Sequence, residues 1–191
     1  AVEDNAPVII FEHRWLYGVQ GHVPEEMYRV PLDSASVIRS GKDITLAATS
    51  YMTLESIRAA DRLAELGIEA EVVDLRSLSP IDSVTLGASV AKTGHLIVAD
   101  TGHIQFGVCA EAVACLPDRA FKALKSRPRR VGLPHVPTPT PPALADLFYP
   151  TSNEILAAAA DCLGLKAPSP TKQSPERRWR DVPDTSFTGP Y

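Results

Sequence analysis

An α/β fold built on a parallel sheet is predicted by the order of signals between Gly41 and Asp100. A β-branched run, an amphipathic helical run closed by Gly67, an alternating apolar run, a second helical run closed by Gly94 and a final apolar run follow one another. Strands that alternate with helices of about ten to fifteen residues favour parallel pairing, because a parallel pair needs a connection long enough to hold a helix. Right-handed crossovers then leave few topologies.

In chain order, Pro7 to His13 (PVIIFEH) is a short apolar run that reads as a buried strand. The next strand signal lies far downstream, so this strand is expected to belong to another sheet. Residues 14–40 hold Gly18, Gly21, Pro24 and Pro31, too much punctuation for a long element, and read as a linker. Leaving Trp15, Leu16, Tyr17, Met27 and Tyr28 in water is costly, so the linker is expected to pack down.

Asp43 to Thr49 is the first strand of the main unit, its small Ala47 and Ala48 suiting a sheet covered on both faces. A helix from Leu54 to Leu66 follows, with Thr53 as N-cap and Gly67 at the stop. Glu69 to Leu75 alternates into a second strand, and Asp82 or Ser83 caps the next helix. Leu96 to Ala99 is the third strand, with Asp100 at its carboxyl end, and TGHIQFG leads to a small-residue helix from Val108 to Leu116.

Arg129 to Leu133 adds a fourth strand. The proline-rich stretch from Pro128 to Pro150 reads as a fixed surface loop with room for a fifth, edge strand. Thr151 and Glu154 have capping-box spacing and open a final helix that Gly164 closes. Residues 165–191 have the composition of a flexible proline-rich tail, with Trp179, Phe187 and Tyr191 as possible anchors on a neighbour.

A chain of 191 residues that is 45% hydrophobic suits one domain with appendages. Its formal charge of −4 argues against a nucleic-acid partner. No run approaches the roughly eighteen apolar residues of a membrane span, and no signal-peptide pattern opens the chain. Ala1 stands where Met would, which suggests a processed or truncated product. Cys109, Cys115 and Cys162 lack disulfide-framework or metal-ligand spacing and suit a reducing, cytosol-like compartment.

Neither GxGxxG nor GxxxxGK[ST] follows any strand, which disfavours nucleotide binding. Of the five histidines, His95 reads as structural. His103 is the one to test, because it stands with Asp100 at a strand's carboxyl end, where ligands gather in open parallel sheets. Cys109 and Cys115 read as packing residues, and no catalytic set or metal site is assembled.

Six stretches together resemble one family: VIIFEHRWLYG (Val8 to Gly18), VPEEMYRVPL (Val23 to Leu32), GKDITLAATSYM (Gly41 to Met52), GIEAEVVDLRSLSPID (Gly67 to Asp82), KTGHLIVADTGHIQFGVCAE (Lys92 to Glu111) and VGLPHVPTPTPP (Val131 to Pro142). The family is the beta subunit of the thiamine-diphosphate-dependent decarboxylating component of 2-oxo acid dehydrogenases, of the pyruvate dehydrogenase type, and the match is to its C-terminal half.

The resemblance implies a transketolase C-terminal-like, three-layer α/β/α domain over residues 41–164, with a mostly parallel sheet of about five strands. It implies that residues 1–13 are the last strand of a missing pyrimidine-binding domain. It further implies an assembly domain, inactive alone, in a tetramer with an alpha subunit and a second beta subunit. Thiamine diphosphate and magnesium would be held elsewhere in the parent enzyme, and the compartment would be the cytoplasm, or the mitochondrial matrix in a eukaryote. Such domains also dock a subunit-binding domain of the transacylase, for which Asp146 is the nearest candidate by position. No catalytic residue carries over. The alternatives are a free-standing interaction or regulatory module, and a separate small enzyme using Asp100 and His103.

Overall fold

The computed structural model describes residues 3–17 and 19–166. Five strands form one sheet: β1 (Ser36–Arg39), β2 (Ile44–Ala48), β3 (Ala70–Asp74), β4 (Leu96–His103) and β5 (Arg129–Leu133). Their order is β1-β3-β2-β4-β5. All pairs are parallel except β1 with β3, which is antiparallel and bulged between Val37 and Arg39.

Helices cover both faces. On one face α1 (Tyr51–Glu65) packs on α6 (Ser152–Leu163), enclosing Leu46, Met52, Leu63, Val72, Ile97 and Ile155. On the other, α2 (Ser83–Thr93), α3 (Val108–Ala114) and α4 (Asp118–Ala123) enclose Ala47, Val73, Leu86, Val98 and Cys109. A short α5 (Pro142–Phe148) precedes α6. The sandwich predicted from alternating strands and helices is therefore present.

Local chemistry accounts for most boundaries. Every residue of β2 is buried, which its run of Ile44, Leu46, Ala47 and Ala48 allows between two helix layers. Its one polar residue, Thr45, bonds the hydroxyls of Ser89 and Thr93 at 2.8 Å each, so the strand's interior face carries no unmet donor there. The Asp82 carboxylate caps α2 by accepting the Thr85 N–H at 2.9 Å. Thr151 and Glu154 form the capping box of α6, and Gly164 ends that helix at φ 67°.

Several elements depart from expectation. Pro7 to His13 forms no strand, and its apolar side chains stay in water, with Phe11 91% exposed. The stretch expected as a linker supplies β1 at its end, and this edge strand, not one in the proline-rich loop, is the fifth. Trp15 and Leu16 are half-buried, but Met27 is 93% exposed, because no described residue covers it. Helix α1 starts at Tyr51, so Thr53 lies inside it; Ser50 is the N-cap and makes no side-chain cap bond.

Strand β4 continues past Asp100 to His103 through a register shift, where a loop was expected. Helices α4 and α5 occupy segments too short and too proline-rich for the helical period to register. Of the tail expected at 165–191, residues 167–191, including Trp179, Phe187 and Tyr191, lie outside the described residues.

Candidate functional site

In a doubly wound sheet the crevice lies where neighbouring strands send their chains to opposite faces. Here that point is between β2, which feeds α1, and β4, which feeds α3. Thr49, Ser50 and Asp100 stand at it.

The Asp100 carboxylate is engaged. It accepts the Thr49 hydroxyl on one oxygen and the Gly102 N–H at 2.9 Å on the other. A side chain at residue 102 would bring a Cβ within 2.6 Å of that second oxygen, so glycine is what lets the chain turn back on the carboxylate. The carboxylate thus fastens the ends of two neighbouring strands.

The next turn holds Ser50 at φ 47°, an unusual conformation for a residue with a side chain. Beside it, the aromatic ring of Tyr51 is buried by the chain's own N-terminal segment. His13 stacks on it at 5.3 Å and 12°, and Trp15 meets it edge-on at 5.4 Å. His13 Nδ1 is buried without a hydrogen-bond partner. Burial also holds the His13 pKa below its usual value. Stacked rings therefore pack at the start of α1, next to the Ser50 turn.

His103 is turned elsewhere. Its Nδ1 lies 2.9 Å from the Pro134 carbonyl, which can only accept, so Nδ1 carries the proton. Its ring meets that of His135 edge-on, with centres 5.6 Å apart. The structure commits Asp100 and His103 to separate partners. His95 is half-buried and bonds Ser126 at 2.7 Å. Burial pushes the Cys109 thiol up to about 12, so it is no thiolate at neutral pH. Among the described residues, no three His, Cys, Asp or Glu side chains converge as a metal site.

What this end of the sheet does present is apolar surface. Phe106 is 98% exposed at φ 58°. Beyond β5, the proline-rich loop and α5 enclose an open groove of about 300 Å³ lined by Pro134, Val136, Pro139, Leu144, Leu147 and Phe148. Leu147 is 83% exposed at its rim. Asp146 lies half-buried on α5 between Leu144 and Leu147. Exposed apolar side chains gathered in this way are a common mark of interaction surfaces. Sequence reasoning missed Phe106 and Leu147. The available signal is two large apolar residues, one in TGHIQFG and one in the proline-rich stretch, where a loop has no core to bury them.

Comparison with known proteins agrees with the fold. Residues 33–155 match the family described as Transketolase, C-terminal domain. The beta subunit of acetoin:2,6-dichlorophenolindophenol oxidoreductase from Cupriavidus necator is 43% identical over 159 residues, covering 83% of this chain and 47% of that one. The beta subunit of the pyruvate dehydrogenase E1 component from Bacillus subtilis is 40% identical over 164 residues, covering 85% and 50%. A solved structure described as a split-gene transketolase, inactive beta4 tetramer, superposes with a TM-score of 0.61 at 33% identity, covering 75% of this chain and 48% of that one. The chain thus spans about half the length of the curated relatives it matches.

Proposed function

This chain belongs to the transketolase C-terminal domain family, and from that premise we propose that it is the assembly domain of a 2-oxo acid dehydrogenase beta subunit. The observation that carries this reading is the apolar run Val8, Ile9, Ile10 and Phe11, exposed in this chain although its composition suits a buried strand. A preceding domain that pairs with this run would cover it. The similar beta subunits, of which the matched region spans about half, support the reading.

The parent enzyme would be thiamine-diphosphate-dependent and would join this chain to an alpha subunit and a second beta subunit. The residues present here do not fit the diphosphate or its cation. The strand-to-helix turn at Ser50 has no glycine, the adjoining Tyr51 is covered by the His13 ring, and no three metal-ligating side chains converge among the described residues. In this reading the chain is inactive alone. In this reading Asp100 ties β2 to β4, and no catalytic step is assigned to it or to His103.

Asp146, beside the exposed Leu144 and Leu147, is the proposed contact for a basic subunit-binding domain of the transacylase. The cellular site would be the cytoplasm, or the mitochondrial matrix for a eukaryotic parent; two similar plant and insect subunits are named as mitochondrial. No helix of the described residues is long and apolar enough to cross a membrane.

Calorimetric titration of thiamine diphosphate with Mg²⁺ into the chain, followed by capture with the alpha subunit from its native extract, tests the reading. No cofactor uptake together with recovery of an alpha subunit is expected. Micromolar cofactor binding, or capture without any alpha subunit, overturns it.

A further inference from the structure

We propose that His103 and His135 form a surface site for a divalent transition-metal ion of the zinc class. The first support is the tautomer of His103. Its Nδ1–H is spent on the Pro134 carbonyl at 2.9 Å, which leaves the Nε2 lone pair for a ligand. Metal-binding histidines are commonly prepared in this way, with one ring nitrogen donating to a carbonyl and the other binding the ion.

The second support is spacing. With a Zn–N distance of about 2.0–2.1 Å, each ring centre lies about 3.2 Å from the ion, so two ligating rings stand about 5.2–5.8 Å apart. The centres of His103 and His135 are 5.6 Å apart with their planes at 71°, so the separation already suits a shared ion and a rotation of the exposed His135 ring would turn its nitrogen toward His103 Nε2. Both residues are exposed, so an ion and its remaining waters meet no obstacle from burial.

The third support is the rigidity of the two backbones. His103 ends β4 and pairs with Leu133 of β5. The Ile104 N–H donates to the Leu133 carbonyl at 3.0 Å, and Arg130 Nη1 donates to the Ile104 carbonyl at 3.0 Å. The end of β4 is thus tied to β5 just before His135, which limits the ordering that metal binding would require. With two protein ligands the ion keeps open positions for water, and it would pin the loop after β4 to the proline-rich loop beside the apolar groove. This proposal stands apart from the assembly reading and uses none of its partners.

Zinc chloride titrated into the full 191-residue chain, read by calorimetry and by nitrogen shifts of the histidine rings, tests it. One equivalent is expected, with the His103 and His135 rings shifting together and those of His13, His22 and His95 unmoved. Alanine at either position should weaken binding at least tenfold. Because the ring-resolved shifts are read on the unsubstituted chain, a variant that misfolds does not obscure the result. No saturation by about 1 mM, a response from only one of the two rings, or uptake that survives in the doubly substituted chain overturns the proposal.

Discussion

The Glu55 carboxylate, on α1 and only 1% exposed, accepts the Ser152 N–H at the start of α6 at 2.7 Å. Its other oxygen accepts from Arg58 at 2.6 Å. One buried charge therefore serves an orphan donor of a second helix, and its own desolvation is offset by an arginine one turn away. This contact joins residues 97 apart in sequence and fixes α6 against α1.

Glu55→Ala is expected to destabilise the chain by about 2–3 kcal/mol, the range for losing charged hydrogen bonds from a buried position. Glu55→Gln, which keeps an acceptor, should lose less. Urea unfolding of the three proteins checks this; equal midpoints would remove the contact from any account of stability.

Acid sensitivity should pass through Glu71. Burial disfavours its charge, but the Lys92 ammonium, the Ser89 hydroxyl and the Gly41 N–H outweigh that cost and hold its pKa below the ordinary 4.5. A depressed folded-state pKa means that the unfolded chain takes the proton first. The stabilisation is then complete above about pH 4.5 and lost as pH falls through the lower folded value. Glu71→Gln should flatten the stability profile below that pH, measured by thermal unfolding from pH 3 to 6.

The ring cluster on Tyr51 should open in acid. Burial lowers the His13 pKa below 6.5, so the cluster's contribution is present above that value and declines as pH falls through the folded pKa. Trp15 emission, followed in a Trp179→Phe background, is expected to shift to the red below about pH 6.5. His13→Phe should remove the transition while keeping the stack on Tyr51. A transition of the same midpoint in that variant would assign it to another group.

On α5, Leu147→Asp should leave the isolated chain's stability within about 0.5 kcal/mol, since this leucine is already in water. The same change should abolish recovery with the proposed partners. Asp146→Asn should weaken capture of a basic docking domain and reduce the salt dependence of its association. Capture that is indifferent to both substitutions would move the docking surface elsewhere.

The alternation of strands and helices from Gly41 to Asp100 was legible because each element there is long enough to show its period. The caps at Asp82 and Thr151, and the stop at Gly164, were legible for a local reason: each is a bond or a backbone angle within a few residues. β1 was hidden because its four residues, between Pro31 and Gly41, are too few to show a period, and their one strand neighbour is β3. The register shift that carries β4 to His103 was hidden likewise, since it depends on β5 thirty residues away.

The candidate site divides along the same line. Sequence position put Asp100 and His103 at one strand end, as though they were a pair. The fold gave Asp100 to Thr49 as well as to nearby Gly102, and His103 to Pro134 and His135; Thr49, Pro134 and His135 come from neighbouring strand ends that chain order does not reveal. What the sequence by itself determined was the α/β sandwich, the ends of α2 and α6, and the family. Tertiary structure alone decided which side chains meet, because the bonds that orient Asp100, His103 and Glu55 join residues brought together only when the sheet and its two helix layers close.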